Sequence, residues 1–235
     1  MIDYFVFGDI DSRDYGIVLF NKSTDAAPEI EQDEVPVPGR NGTVIMSNHR
    51  YKNVSHVYSG VIYKGMEERL RAFRADISAV QGYQELSDTL NPDEFYIAQK
   101  RQGFAPTITS DRSKGKFEVA FDRKPQRFLR TGTQAIEVQS GGRVYNPTPY
   151  TSMPLIRVYG SGTLGVGPYT YTIASGYAYV DIDSDIMDCY HGTDNANNKL
   201  TLPDGRFPEF ESGETGITYT GNITRVVITP RWWTL

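Results

Sequence analysis

The chain is poor in the residues that usually build chemistry. It has one cysteine, Cys189, among 235 residues, and three histidines. A lone thiol rules out an intrachain disulfide and leaves no basis for a cysteine-rich metal centre. Long hydrophobic runs are also missing. No apolar stretch approaches the roughly 20 residues that span a bilayer, so no membrane partner is expected. Met1-Ile2-Asp3-Tyr4 shows neither the basic region nor the apolar stretch of a signal peptide, and the expectation is a protein made in a cytosol. Excess positive charge is lacking too. The formal net charge is −5, whereas broad nucleic-acid binding is driven by a basic field. There are only two tryptophans. Both lie in the closing run Pro230-Arg231-Trp232-Trp233-Thr234-Leu235, where large aromatics imply a tied-down, packed strand end.

What is present favours β structure. The 16 tyrosines and 22 glycines accompany many Thr and Val residues. Tyr4-Phe5-Val6-Phe7 and Tyr15-Gly16-Ile17-Val18-Leu19-Phe20 read as strands around a turn. The polar segment 21–32 reads as a loop. Val35-Pro36-Val37-Pro38-Gly39-Arg40-Asn41-Gly42-Thr43 reads as an edge or extended arm, because alternating prolines cannot donate to a ladder and Asn-Gly suits a tight turn. Leu70, Phe73, Ile77 and Val80 recur at helical spacing and predict a helix over 66–81. Glu67 and Glu68 lie at its positive end, and Gly82 follows it. Phe117, Val119 and Phe121 alternate along one strand face. The domain boundary is placed between Leu129 and Gln134, giving domains 1–131 and 132–235. The second domain shows no helical period. Its short strands, including 155–159, 169–173 and 177–183, predict a β-sandwich.

Candidate chemical groupings are few. Asp181, Asp183 and Asp185, with Asp188 nearby, could bind a hard cation or do acid–base work. In a calcium-loop alignment, however, Ile186 stands where glycine is needed and Gly192 where glutamate is needed, so a solvated strand face is expected. The glycines of 160–167 lack the Gly-Lys-Ser/Thr ending of a phosphate loop, and a hairpin is expected. His49, His56 and His191 show no metal spacing and are expected at surfaces or caps. Cys189 precedes His191 by two residues, but a passive thiol is expected. No catalytic, metal or cofactor site is expected, and the chain is read as not an enzyme. Arg123, Lys124 and Arg127 could touch phosphate; salt bridging between domains or subunits is favoured. Pro38, Gly39, Arg40, Asn41 and Gly42 are candidate assembly residues. Trp232 and Trp233 are expected to pack and close the sheet of the second domain.

Several motifs, in order along the chain, carry a resemblance. They are Phe7 through Ser12-Arg13-Asp14-Tyr15-Gly16-Ile17, then Val37-Pro38-Gly39-Arg40-Asn41-Gly42. Next comes Phe117-Glu118-Val119-Ala120-Phe121-Asp122-Arg123-Lys124-Pro125-Gln126-Arg127-Phe128. Asn146-Pro147-Thr148-Pro149-Tyr150-Thr151-Ser152-Met153-Pro154 leads into Ile156-Arg157-Val158-Tyr159-Gly160-Ser161-Gly162. The last is Ile228-Thr229-Pro230-Arg231-Trp232-Trp233-Thr234-Leu235. With these landmarks the sequence resembles the distal tail (Dit) proteins of siphophages, baseplate hub proteins of long non-contractile tails.

The resemblance implies a mainly β fold. Its N-terminal ring-forming domain would be β-sandwich or split-barrel-like, with one helix at 66–81 and an extended β-hairpin arm at 35–61. The C-terminal domain would be a galectin-like β-sandwich. It further implies a homohexameric ring at the distal end of the tail, assembled in the host bacterial cytoplasm. That ring would contact the tail tube protein, the tail-associated hub or tip protein, and receptor-binding or side-fibre proteins. DNA would pass through the lumen only as cargo, and the arm could add a strand to a neighbour's sheet. The alternative is a carbohydrate-binding adhesion module acting through the C-terminal sandwich. A cell-wall hydrolase finds no motif, since paired carboxylates would need one shared cleft.

Overall fold

The computed structural model describes residues 3–22, 26–63, 66–100, 103, 107–108 and 114–235. The chain forms two compact units, Met1–Arg127 with Leu235, and Phe128–Thr234. The first unit begins with β1 (Phe5–Phe7), β2 (Ile10–Asp11) and β3 (Ile17–Lys22). A hairpin of β4 (Ile30–Pro36) and β5 (Thr43–Tyr51) follows, then β6 (Val54–Tyr63) and helix α1 (Met66–Ala79). β7 (Gln84–Asp88), β8 (Glu94–Gln99), β9 (Thr107–Ile108) and β10 (Lys114–Leu129) complete the order. The main sheet runs β2-β1-β7-β8-β10-β6-β3, and β9 also pairs with β10.

Alternation explains the centre of this sheet. Phe117, Val119 and Phe121 of β10 face the core, and β10 pairs antiparallel with β6 from Lys114↔Tyr63 to Arg123↔Val54. Gly60 of β6 is glycine for a packing reason. A Cβ there would lie 3.0 Å from the Phe117 ring and 3.3 Å from Ile17. α1 lays Leu70, Phe73 and Ile77 onto the same core, the stripe that its spacing predicts. Phe73 meets Phe5 at 6.3 Å and Phe117 at 5.7 Å between ring centroids. Burial of each such ring stabilises by ~1.5–3 kcal/mol. The helix ends at Ala79, two residues before the predicted limit, and Gly82 sits beyond it with a left-handed φ of 71°.

Two expectations change in this unit. The loop read over 21–32 falls partly on 23–25, outside the described residues, and its end is already strand, because β4 starts at Ile30. The arm expected over 35–61 is instead the β4–β5 hairpin, while 54–61 belongs to core strand β6. The reason is burial. Val54, His56, Tyr58 and Val61 lie inside, whereas every residue of β5 is exposed.

The second unit is a β-sandwich. Its strands are β11 (Ile136–Val138), β12 (Gly142–Asn146), β13 (Leu155–Tyr159), β14 (Gly162–Val166), β15 (Tyr169–Ile173) and β16 (Tyr179–Asp183). β17 (Asp188–His191), β18 (Asp194–Asn195), β19 (Leu200–Thr201), β20 (Gly213–Gly221) and β21 (Arg225–Thr229) follow, and β22 (Trp233–Thr234), outside both sandwich sheets, ends the order. One sheet runs β11-β21-β13-β16-β17-β18 and the other β12-β20-β14-β15-β19. Ile156, Val158, Val180, Ile182, Val226 and Ile228 from the first sheet share a core with Val144, Leu164, Val166, Tyr171, Ile173 and Ile217 from the second. The glycine-rich 160–167 segment enters the β14–β15 hairpin, as expected.

Two corners fix the ends of this unit. Asn146 is buried. Its Nδ2 donates to the Tyr150 and Phe210 carbonyls at 2.9 and 3.0 Å, and its Oδ1 accepts from Thr148 N–H and Thr148 Oγ1 at 2.9 and 2.8 Å. One amide thus satisfies the backbone of the Pro147–Pro149 corner, where proline removes donors. At the far end, Leu129 N–H donates to Trp232 O at 2.9 Å and Arg231 N–H to Gly132 O at 2.7 Å. Trp232 is 5% exposed and lies 5.8 Å from Phe210. Trp233 stacks on Tyr150 at 4.6 Å, and its indole N–H donates to Thr151 O.

Candidate assembly interface

The β4–β5 hairpin stands out because it carries exposed apolar residues on both faces and no described strand pairs with its outer edges. Its register pairs Val35 with Val44 and Asp33 with Met46, and Glu34 with Ile45 one step between them. Period-two alternation puts Val35, Val44 and Met46 on one face and Ile45 on the other. Met46 is 62% exposed, Ile45 58% and Val44 43%. A lone two-stranded hairpin is marginally stable in water, and it leaves backbone donors and acceptors open along both outer edges. Exposed ion pairs within it, Arg50–Glu31 at 2.8 Å and Lys52–Glu29 at 3.3 Å, add little. Charge is segregated, with Glu29, Glu31, Asp33 and Glu34 on or beside the first strand and Arg50 and Lys52 on or beside the second.

The predicted loop residues Pro38, Gly39, Arg40, Asn41 and Gly42 form the exposed tip of this hairpin. Arg40 N–H closes a turn onto Val37 O at 3.2 Å, and Gly39 and Gly42 take φ values of 78° and 86°. The basic trio divides differently from the expectation. Arg123 is 2% exposed; its guanidinium lies 4.4 Å from the Tyr96 ring centre and donates to Ala26 O at 3.4 Å. It is a core residue because period-two alternation continues the inward face of β10 onto it. Arg127 pairs with Glu94 at 3.2 Å and donates to the Leu235 carbonyl at 2.6 Å. Lys124 is the exposed member, with its ammonium 5.2 Å from the Tyr83 ring centre.

The aspartate run is solvated only in part: Asp185 is exposed in the turn and Asp188 half-buried, but the strand pair is not solvated. Asp181 and Asp183 are 2% and 5% exposed, each gripped by an arginine. Arg157 reaches Asp181 with bonds of 2.6 and 2.8 Å, and Arg231 reaches Asp183 with 2.6 and 2.9 Å. Arg157 comes from neighbouring β13 and Arg231 from the segment after β21, which sequence spacing could not show. Burial alone would raise the Asp183 carboxyl, but hydrogen bonding and charge from Arg231 outweigh it and hold the group below its ordinary range. The ion pair therefore stabilises the second unit fully above the unfolded aspartate value of about 4, and that contribution is lost as pH falls through the lower folded value. Arg231→Ala is expected to move the acid-unfolding midpoint of this unit to higher pH, read by near-ultraviolet circular dichroism. Superimposable acid limbs for the two proteins would exclude this role.

The other groupings also resolve structurally. Burial drives the Cys189 thiol up to about 11, far from a nucleophile's range. His56 is buried in the first core against Tyr58 and Tyr96 rather than lying at a surface, because it points inward from β6. His49 lies on exposed β5, and His191 Nδ1 donates to Tyr179 O at 2.9 Å. Among the described residues, no group of three or more His, Cys, Asp or Glu side chains is placed to hold a metal ion. No described helix is long and apolar enough to cross a membrane.

No protein-family model matches the chain, and no curated protein matches it in sequence. Solved structures do. The Dit protein (gp 19.1) of phage SPP1 superposes with a TM-score of 0.77 over 100% of both chains, at 11% identity. The chain shares the fold of a phage Dit protein. That protein is described as a paradigm of the hub adsorption apparatus in phages infecting Gram-positive bacteria. A chain of the phage P2 baseplate, in its activated conformation with Ca, matches with a TM-score of 0.51 at 11% identity, over 97% of each chain. Against the Dit fold, sequence reasoning located the hairpin tip but missed the apolar shaft. Val44-Ile45-Met46 was the available signal, an apolar run just past the Pro36–Gly42 segment that the prolines marked as edge or arm.

Proposed function

We propose that this chain is a structural subunit of a phage tail baseplate, a distal tail hub that closes into a homohexameric ring. The carrying observation is that the fold matches the Dit protein of phage SPP1 from end to end. An uncovered hairpin with apolar residues on both faces and open strand edges adds the means of assembly. Seated on a neighbouring subunit, the hairpin would gain ladder partners and bury Val44, Ile45 and Met46. A strand edge without a described ladder partner on each side suits a head-to-tail contact, which closes into a ring when repeated. On this reading domains 1–131 and 132–235 are the ring-forming and outer galectin-like parts. The partners are the tail tube protein, the hub or tip protein and receptor-binding or side-fibre proteins. The genome passes through the lumen, and the protein resides in the virion after assembly in the host cytoplasm. A non-catalytic role agrees with arginine-clamped aspartates and a core-buried thiol.

The test is the absolute mass and symmetry of the purified protein, by light scattering and negative-stain imaging across concentration. A hexamer with a central hole is expected, alone or on addition of the neighbouring tail proteins. A monomer that stays monomeric with both neighbours present would overturn the ring.

A further inference from the structure

The turn between β16 and β17 carries a second surface, within the second unit and unrelated to the hairpin. Asp183 pairs with Asp188, so Ser184, Asp185, Ile186 and Met187 form the loop. Ile186 is 59% exposed and Met187 71%, two apolar side chains at the tip of a hairpin. The backbone makes this choice of residue costly. Met187 takes a φ of 52°, in the left-handed region where a Cβ is crowded. Local chemistry alone would favour glycine or asparagine there and a polar residue beside it. Ser184 N–H donates to Pro154 O at 3.1 Å, which brings the segment with exposed Met153 alongside the turn.

The turn is held from beneath. The Asp183 carboxylate accepts from Asp185 N–H at 3.1 Å and from Ile186 N–H, while Arg231 grips the same carboxylate at 2.6 and 2.9 Å. Apolar side chains on a pre-ordered turn lose little conformational freedom when covered, which is what a docking anchor needs. Charge narrows the chemistry of an occupant. Arg157 and Arg231 are engaged by Asp181 and Asp183. Asp185 feels Arg231 as well, but that guanidinium is already bound to Asp183. Asp188 accepts from Cys189 N–H and the Asn197 amide, neither of them charged. Two arginines thus serve four aspartates, and the apolar tip is flanked by surplus negative charge.

We infer that the 184–187 turn docks into an apolar pocket of a partner protein, with Ile186 and Met187 inserted and Lys or Arg side chains of the pocket rim meeting Asp185 and Asp188. Unbranched, polarisable Met adapts to an apolar pocket, and complementary charge at the rim steers the partner into register. The same negative charge opposes insertion into an anionic bilayer surface. The partner is sought in the assembled tail, so the inference rests on the baseplate reading for its location.

Methionine oxidation by dilute hydrogen peroxide, read by peptide mass spectrometry, tests it on the full chain alone across concentration and on the assembled tail. Met187 is expected to oxidise readily in the chain alone and roughly tenfold more slowly in the tail, as exposed thioethers do when covered. Met46 on the β4–β5 hairpin reports the ring in the same samples. Protection of Met46 with Met187 still reacting would overturn the docking turn and keep the ring; the converse would overturn the hairpin contact and keep the turn. Protection of Met187 in the concentrated chain alone would make the occupant a second copy. Protection by zwitterionic or anionic lipid vesicles would make it a membrane. Either result overturns the assignment. Asp185→Lys reverses an exposed charge and should restore Met187 oxidation in the tail with unchanged thermal unfolding; retained protection would exclude a basic rim. Met187→Gly suits the left-handed backbone and should keep or raise the melting temperature of the second unit. A lowered melting temperature would show that Met187 serves its own fold, and would overturn its role as an anchor.

Discussion

If the proposed ring forms, the double substitution Val44→Asp and Met46→Asp is expected to dissolve it while leaving the subunit folded. Both residues sit on one face of the hairpin and are already exposed in the single chain, 43% and 62%. Nothing in the subunit's core depends on them, so thermal unfolding of a dissociated subunit should change by about 0.5 kcal/mol or less. In an assembly the balance reverses. Each apolar side chain buried against a neighbour contributes ~1.5–3 kcal/mol, and a carboxylate in its place faces a desolvation penalty as well. A loss of ~4 kcal/mol per contact weakens association roughly a thousandfold. Light scattering across concentration reads the result. A variant that keeps the parent's mass at every concentration would show that this face is not buried on assembly. The same pair of charges at the loop tip, for example Arg40→Asp with Asn41→Asp, should act more weakly, since neither substituted side chain is apolar.

The second large effect is expected from Trp232→Ala. Trp232 is packed in the sandwich core beside Phe210, and its carbonyl accepts from Leu129 N–H. Truncating a buried tryptophan leaves a cavity and costs ~3–5 kcal/mol. The loss should fall on the second unit, which holds the residue, and calorimetry should show that unit melting earlier with the first unit's transition unmoved. Trp233→Ala is expected to cost about 1 kcal/mol, because it loses one stacking contact with Tyr150 and one hydrogen bond to Thr151 O. Equal effects of the two variants would refute this division between a core tryptophan and a stacked one. Gly132 bears on the same packing. A Cβ there would collide with the Trp232 backbone nitrogen, so the terminal segment can lie against 130–133 only because that position is glycine.

Much of the architecture was legible in local pattern. The 3.6-residue recurrence of Leu70, Phe73 and Ile77 gives the helix, and the two-residue recurrence of Phe117, Val119 and Phe121 gives a central strand. Such periods encode which face is buried, whatever it is buried against. The same alternation, carried two residues further, reaches Arg123, yet its charge suggests a surface. Partners brought from distant positions, the Tyr96 ring and the Ala26 carbonyl among them, let it stay inside. The aspartates were misread for a similar reason. Alternation put Asp181 and Asp183 on the outward face, but their arginines lie 24 residues before and 48 after. No local rule connects partners so far apart.

By itself, then, the sequence determined the mainly β class, the helix stripe, the edge-like prolines and the packed terminal tryptophans, because these depend on local propensity and period. Tertiary structure alone decided three things. It made 54–61 a core strand rather than part of the arm, through ten register pairs between β6 and β10. It clamped two aspartates with arginines, through neighbouring strands and the terminal segment. It left Val44, Ile45 and Met46 without cover in the single chain, a property of surroundings that no run of residues can state.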